Sequence, residues 1–209
     1  MKHSEHLRAA TNVLSRRLVA LIVLLGMMFN CASTASGQAA DGSDSSEYLI
    51  KAGFIYNFAK FVEWPSTAFA EPDSPIVIGV LGTDPFGSII NRVVEEKKIG
   101  ARGFIVRRYK WGKDLKDIKD CRILFVSSSE KAHFEEIVQS VKGLPILTVG
   151  ETPGFAERGG MIRLTLEDNR VRFEVNVDAA HEGNLNISSR LLTLAKIISQ
   201  SPPTARKPG

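Results

Sequence analysis

The sequence predicts an α/β fold: a mostly parallel sheet flanked by helices on both faces, with a C-terminal antiparallel hairpin added to the sheet. Two observations carry this expectation. Short apolar runs without alternation, such as Ile76–Gly82, Arg122–Val126 and Pro145–Val149, are separated by helical stretches, as befits strands buried on both faces. Further on, Met161–Leu166 and Arg170–Val177 alternate apolar and polar residues around Glu167-Asp168-Asn169, the mark of an antiparallel hairpin with one solvated face.

The chain has 209 residues, 44% hydrophobic and 24% charged, with a formal charge of +4. Its basic excess sits at the front. Lys2, Arg8, Arg16 and Arg17 precede the apolar run Leu18–Phe29 and then small residues up to Gly37, which together read as a signal peptide over residues 1–37 cleaved after Gly37. The apolar run is shorter than the roughly 20 residues of a membrane span. Removing these four basic residues and Glu5 leaves a formal charge of about +1. A near-neutral surface has little to gain from counterion release, so no nucleic-acid partner is expected, and no direct membrane insertion either. Cys31 leaves with the leader. Cys121 then has no partner for an intramolecular disulfide and is expected to be a buried residue of the strand-like run Cys121–Val126, or else to pair between chains.

Residues 38–46 are rich in Ala, Ser, Gly and Asp and read as a flexible linker, with a folded domain over 47–200. Asp44 or Ser46 then caps a helix whose stripe is Tyr48, Ala52, Ile55, Ala59 and Val62, with Phe54, Phe58 and Phe61 beside it. Trp64-Pro65 ends it, because proline disfavours the helical conformation in the residue before it. The strand at Ile76–Gly82 leads to a helix from Asp84-Pro85 through Glu96, a strand at Phe104–Arg108 and a third at Arg122–Val126. A helix over Glu130–Lys142 follows, with Ser127 and Glu130 in capping-box register, and Pro145–Val149 is the fourth strand. After the hairpin, Ile187, Leu191, Leu194, Ala195 and Ile198 fall at helical spacing and predict a helix over Ile187–Ser199; residues 201–209 read as a disordered tail.

The loops at the carboxyl ends of the strands carry no recognisable catalytic motif. Gly82-Thr-Asp-Pro-Phe-Gly87 lacks both the dinucleotide fingerprint and the P-loop Lys-Ser/Thr, and reads as a helix-initiating turn. Ser127-Ser128-Ser129 reads as a helix cap. His133 and His181 are isolated in sequence, so no metal site is expected, and no Gly-x-Ser-x-Gly elbow presents a nucleophile. No cofactor and no enzymatic activity are therefore expected. What remains suits contact. Trp64 and Pro65 at the helix end, Phe155 and Arg158 in a glycine-bearing loop, and Arg163, Arg170 and Arg172 on the hairpin are the candidate partner-binding residues. For a small ligand, Asn57, Lys60, Asn176 and Arg190, together with Trp64, are the candidate cleft residues, Arg190 serving equally well as a structural ion pair.

The ordered series Tyr48-Leu-Ile-Lys-Ala-Gly-Phe-Ile-Tyr-Asn-Phe-Ala-Lys-Phe-Val-Glu-Trp-Pro65, Ile78–Gly87, Cys121–Glu130, Leu147–Gly150, Gly159–Ile162, Phe173–Asn176 and Ile187–Ala195 resembles the YfiR-like family of exported regulatory domains. The resemblance implies a periplasmic protein that lacks catalysis and binds the periplasmic domain of an inner-membrane diguanylate cyclase or other sensor, lowering cyclic di-GMP and biofilm formation. It also implies a homodimer. An internal disulfide control of the kind the founding member suggests does not transfer, because Cys121 stands alone in the mature chain. The alternative is a periplasmic small-ligand-binding or sensory module acting with a membrane histidine kinase or a transporter.

Overall fold

The computed structural model describes residues 39–114 and 117–198. The expected signal peptide (1–37) and tail (201–209) lie outside the described residues. Helix α1 (Ala39–Phe61) runs into the two-residue strand β1 (Val62–Glu63), followed by β2 (Ile76–Leu81), α2 (Ile89–Val94), β3 (Phe104–Tyr109) and β4 (Ile123–Val126). Then come α3 (Phe134–Val141), β5 (Leu147–Gly150), the hairpin β6 (Ile162–Glu167) and β7 (Arg170–Asn176), α4 (Val177–Glu182), β8 (Asn186–Ile187), α5 (Ser189–Leu192) and β9 (Lys196–Ile198). Ser45 opens the compact unit that carries every contact below.

Among the described residues, seven strands form the main sheet in the order β3-β2-β4-β5-β6-β7-β9. Every neighbouring pair is parallel except β6 and β7, whose register places Arg163 opposite Glu174 and Thr165 opposite Arg172. This is the expected α/β architecture, with the hairpin attached where the alternation begins. A separate two-stranded sheet pairs β1 with β8.

Strand periodicity sends side chains to two cores. Ile76, Ile78 and Val80 of β2 and Ile123 and Phe125 of β4 enter the larger cluster, against Ala52, Ile55, Phe58 and Ala59 of α1. The intervening Val77, Leu81, Leu124 and Val126 face Phe134, Ile137, Val138 and Val141 of α3. Both faces of the central sheet are thus covered, which explains why its strands read as unbroken apolar runs. Phe58 is wholly buried and meets Phe54 and Phe173 with ring centroids 6.0 and 5.3 Å apart. Burial of such a ring contributes about 2–3 kcal/mol.

Four sequence expectations need correction. Helix α1 begins at Ala39, inside the segment read as a linker. The helix expected from Asp84 starts only at Ile89, because Asp84 Oδ1 accepts from the Phe86 and Gly87 N–H groups and holds a turn there. The helix expected from Glu130 starts at Phe134 after a 3-10 turn over Ser128–Glu130, and Ser127 Oγ caps that turn by accepting from the Ser129 N–H. The largest difference is at the C-terminus. Ile187 lies in β8, Ser188 caps the single turn of α5, and Lys196–Ile198 adds to the edge of β7 as a parallel strand. Helical spacing would bury Leu191 and Leu194 together; only Leu191 is buried, and Leu194 is 71% exposed. The uncovered edge of β7, and an ion pair that Lys196 makes across it, outweigh local helical preference.

Candidate interaction surface

One face of the hairpin is built from polar side chains. Residues two apart on a strand share a face, so the register puts Arg163, Thr165 and Glu167 with Glu174, Arg172 and Arg170 on the side opposite the larger core. Glu174 lies at the centre. Its Oε2 accepts from Arg163 Nη1 at 3.0 Å and its Oε1 accepts from Lys196 Nζ at 2.9 Å, so one carboxylate ties three strands together. Burial would raise the Glu174 carboxyl, but hydrogen bonds from Lys196 and Arg163 outweigh it and hold the group below the ordinary carboxylate range. Arg172 and Arg170 continue the face and are exposed. Leu166 and Ile197, on the apolar side of the same strands, are about half exposed at its rim. The result is a cationic surface fixed by an internal acid and edged with apolar side chains, a composition suited to protein contact.

The carboxyl ends of the parallel strands are closed by the chain itself. The strand order reverses between β2 and β4, the crevice where open α/β sheets commonly take ligands. Here Ser129 Oγ accepts from the Thr83 N–H at 2.9 Å, and Gly82, at φ +95°, is so close that a side chain would strike Ser129 and Glu130. Asp84 already occupies the loop N–H groups that an anion would need, and its other oxygen accepts from Arg108 Nε at 2.9 Å. Both loops therefore serve as the turn and the cap that the sequence indicates.

Beside this crevice lies a polar cluster that sequence reasoning missed. Lys51, 4% exposed, places Nζ 2.6 Å from Glu47 Oε1 and 2.6 Å from Glu151 Oε2, and 4.6 Å from the centre of the Tyr48 ring. Glu151 follows β5, so the pair fastens α1 to the end of that strand. The Glu47–Lys51 spacing of four was the available signal; nothing in the sequence pointed to Glu151.

The remaining predicted residues divide. Phe155 is fully buried against Phe134, at 4.9 Å between ring centroids, and is a core residue rather than a partner contact. Gly150 and Gly160 leave the space its ring fills, so the glycines of this loop report packing and not exposure. Arg158 is exposed but folds over the Phe134 ring and donates to the Gly154 and Pro153 carbonyls. Trp64 and Pro65 are half-buried, with the Trp64 ring edge-on to Phe69 at 6.5 Å. Asn176 is fully buried; its Oδ1 accepts from the Ala179 N–H and its Nδ2 donates to the Ala156 carbonyl, which makes it a helix cap and not a ligand contact. Asn57 and Lys60 are exposed on α1. Arg190 is exposed on α5, and among the described residues no carboxylate pairs with it.

Cys121 is buried and free, with its thiol 3.6 Å from the Tyr109 hydroxyl. Burial pushes that thiol up to about 11, against the lowering effect of the Tyr109 hydrogen bond and of Arg107. A buried group of this kind does not bridge two chains, so the interchain pairing left open by the sequence is set aside. Among the described residues no group of three or more His, Cys, Asp or Glu is arranged to hold a metal ion, and no helix is long and apolar enough to cross a membrane.

The chain is thus a mixed α/β domain whose hairpin carries a charged face. The sequence model described as YfiR/HmsC-like matches residues 48–196, and the chain belongs to this family. Its members are periplasmic proteins, regulatory rather than catalytic. Among solved structures, the ABC domain in complex with L-Trp from Streptococcus pneumonia is 12% identical, covering 59% of this chain and 55% of that one, at a TM-score of 0.46. A conserved domain protein from Vibrio cholerae O1 biovar eltor str. N16961 is 10% identical, covering 73% and 60%, at a TM-score of 0.49. The chain thus spans less than two thirds of either structure.

Proposed function

We propose that this chain is a periplasmic inhibitor of an inner-membrane signalling protein, binding the sensor domain of a diguanylate cyclase and so lowering cyclic di-GMP and biofilm formation. Family membership over residues 48–196 is the observation that carries this reading. The hairpin face supplies a suitable surface: Arg170 and Arg172 project from it while Arg163, only 20% exposed, is held on Glu174, so little side-chain freedom is lost at the central position on binding. Trp64 and Pro65 form a second candidate contact at the start of the β1–β2 connection, and Arg158 a third beside the hairpin. No catalytic group is needed. A domain that binds the inactive conformation of a sensor more tightly than the active one shifts the equilibrium by that difference in affinity. Homodimerisation is part of the same reading.

The test is a photocrosslinking residue placed at Arg172 in the exported chain in its own host. The reading expects a crosslink to a membrane protein bearing a cytoplasmic nucleotide-cyclase domain. A crosslinker at exposed Lys113, on another part of the surface, serves as the control. Equal capture from both positions, or none from Arg172, counts against the hairpin face.

A further inference from the structure

Helix α5 ends without a stop signal. Its single turn over Ser189–Leu192 passes into Thr193, which keeps helical dihedrals of φ −64° and ψ −19°. The helical hydrogen bonding runs further still. The Thr193 N–H donates to the Ser189 carbonyl at 3.0 Å, and the Leu194 and Ala195 N–H groups donate to the Leu191 and Leu192 carbonyls at 3.1 Å, the tighter pattern of a 3-10 turn. The chain leaves the helical path only at Lys196. No glycine or proline lies between Ser188 and Ser201, and Leu191, Leu194, Ala195 and Ile198 keep the spacing of one helical face.

The strand that follows is held by little. β9 meets β7 only at Glu174–Asn176, whereas the preceding part of β7, Arg170–Phe173, carries no strand on this side among the described residues. Leu194 and Ile197 are left in water, so pairing as a strand buries little apolar surface. Lys196 reaches Glu174 with a side chain that is itself largely exposed, and an ion pair so open adds little stability. Glu174 does not depend on it, because Arg163 Nη1 donates to the other carboxylate oxygen at 3.0 Å. A short, solvent-facing strand opposed by an intact helical preference is an element of low local stability.

We propose that residues 193–198 form a two-state latch: as β9 they close the edge of β7, and by continuing α5 through Ile198 they open it. The change exchanges main-chain bonds to β7 for bonds within the helix, so the backbone of the segment stays paired in both states. It sets Leu194 and Ile198 on the helical face of Leu191 and releases Lys196 from Glu174. The opened edge belongs to the strand that carries Arg170 and Arg172, so the latch controls the contact face of the hairpin. That consequence rests on the function proposed above; the latch itself does not.

NMR relaxation dispersion on the purified chain reads both the exchange and the Cα shifts of the minor state. In the wild type, Leu194–Ile198 and their partners Glu174–Asn176 exchange with a minor state whose segment shifts are helical. Lys196→Glu sets two carboxylates opposite each other, and Ile197→Ala replaces a strand former by a helix former; each raises the helical population about fivefold while the β2 and β4 amide shifts stay in place. Ala195→Gly lowers it about fivefold. The latch is overturned if the wild type shows no exchange and both variants keep strand shifts, or if the released segment has the shifts of unstructured chain, which marks simple fraying of an edge strand. Control of the hairpin is read separately, with the photocrosslinking residue at Arg172 in the exported chain. Ile197→Ala, which leaves the polar face intact, changes capture of the membrane protein by about threefold. Capture equal to wild type overturns that control, whereas capture by neither chain counts against the proposed function and leaves the latch to its NMR result.

Discussion

Lys51 Nζ lies 2.6 Å from Glu151 Oε2 across more than 90 residues of sequence, and this contact joins the first helix to the fourth parallel strand of the sheet. Both side chains are largely removed from water, so each depends on the other. Removing one partner of a buried pair costs about 3–5 kcal/mol because the remaining charge is stranded. Lys51→Met is expected to lose about 3 kcal/mol in urea unfolding, and the double variant Lys51→Met/Glu151→Gln to recover part of it. Additive losses in the two single variants would show that the pair is not coupled.

The pH dependence of that pair has a definite sign. Burial alone would depress the Lys51 ammonium, but hydrogen bonds to Glu151 and Glu47 overcome this and hold it above its ordinary value. Its contribution is therefore fully present below the unfolded lysine value of about 10.4 and is lost as pH rises through the higher folded value. Wild-type stability should fall across that alkaline window, and Lys51→Met should show a smaller fall there.

Glu174 gives the opposite window. Its folded carboxyl lies below the ordinary range, so its stabilisation is present above an unfolded value of about 4.3 and disappears as pH falls through the folded value. Glu174→Gln is expected to cost about 1–3 kcal/mol at neutral pH and to flatten the acid limb of stability against pH. An unchanged acid limb would mean that Arg163 and Lys196 do not hold the carboxylate in solution.

Gly160 and Phe155 test the packing of the loop before the hairpin. A Cβ at Gly160 would run into the Phe155 ring, so Gly160→Ala should destabilise by about 1–3 kcal/mol or more. Phe155→Ala should cost about 3–5 kcal/mol by leaving a cavity. Because the second change removes the ring from the path of that Cβ, though not the Phe155 carbonyl that also crowds it, the double variant should cost less than the sum, measured by equilibrium unfolding.

Much of the central sheet could be read from the chain because its strands are buried on both faces and leave continuous apolar runs. The hairpin was legible through its alternation, and of its polar positions Arg170 and Arg172 are exposed as the alternation implies, whereas Arg163 is half-buried and Glu174 is buried because the two bind each other and Lys196. Phe155 was misjudged because a glycine-rich loop looks alike whether its aromatic residue points outward or fills the space its glycines leave. Asn176 looked free for a ligand because capping depends on which backbone N–H groups lie nearby. The C-terminal segment misled for a different reason: Ile187, Leu191, Leu194, Ala195 and Ile198 fall at helical spacing, yet β7 offers Lys196–Ile198 an open edge and Glu174 offers Lys196 a charge partner. Neither is encoded within the segment itself. The Lys51–Glu151 contact likewise exists only once distant residues are brought together.

The central claim is that the chain restrains a membrane diguanylate cyclase through its hairpin face. The most direct measurement is cellular cyclic di-GMP in strains lacking the gene, complemented with the wild-type chain or with Arg170→Glu/Arg172→Glu, after checking that the exported variant folds and accumulates. The account predicts that deletion raises the nucleotide, that the wild-type chain restores it, and that the charge-reversed chain does not. Unchanged cyclic di-GMP on deletion would contradict the claim.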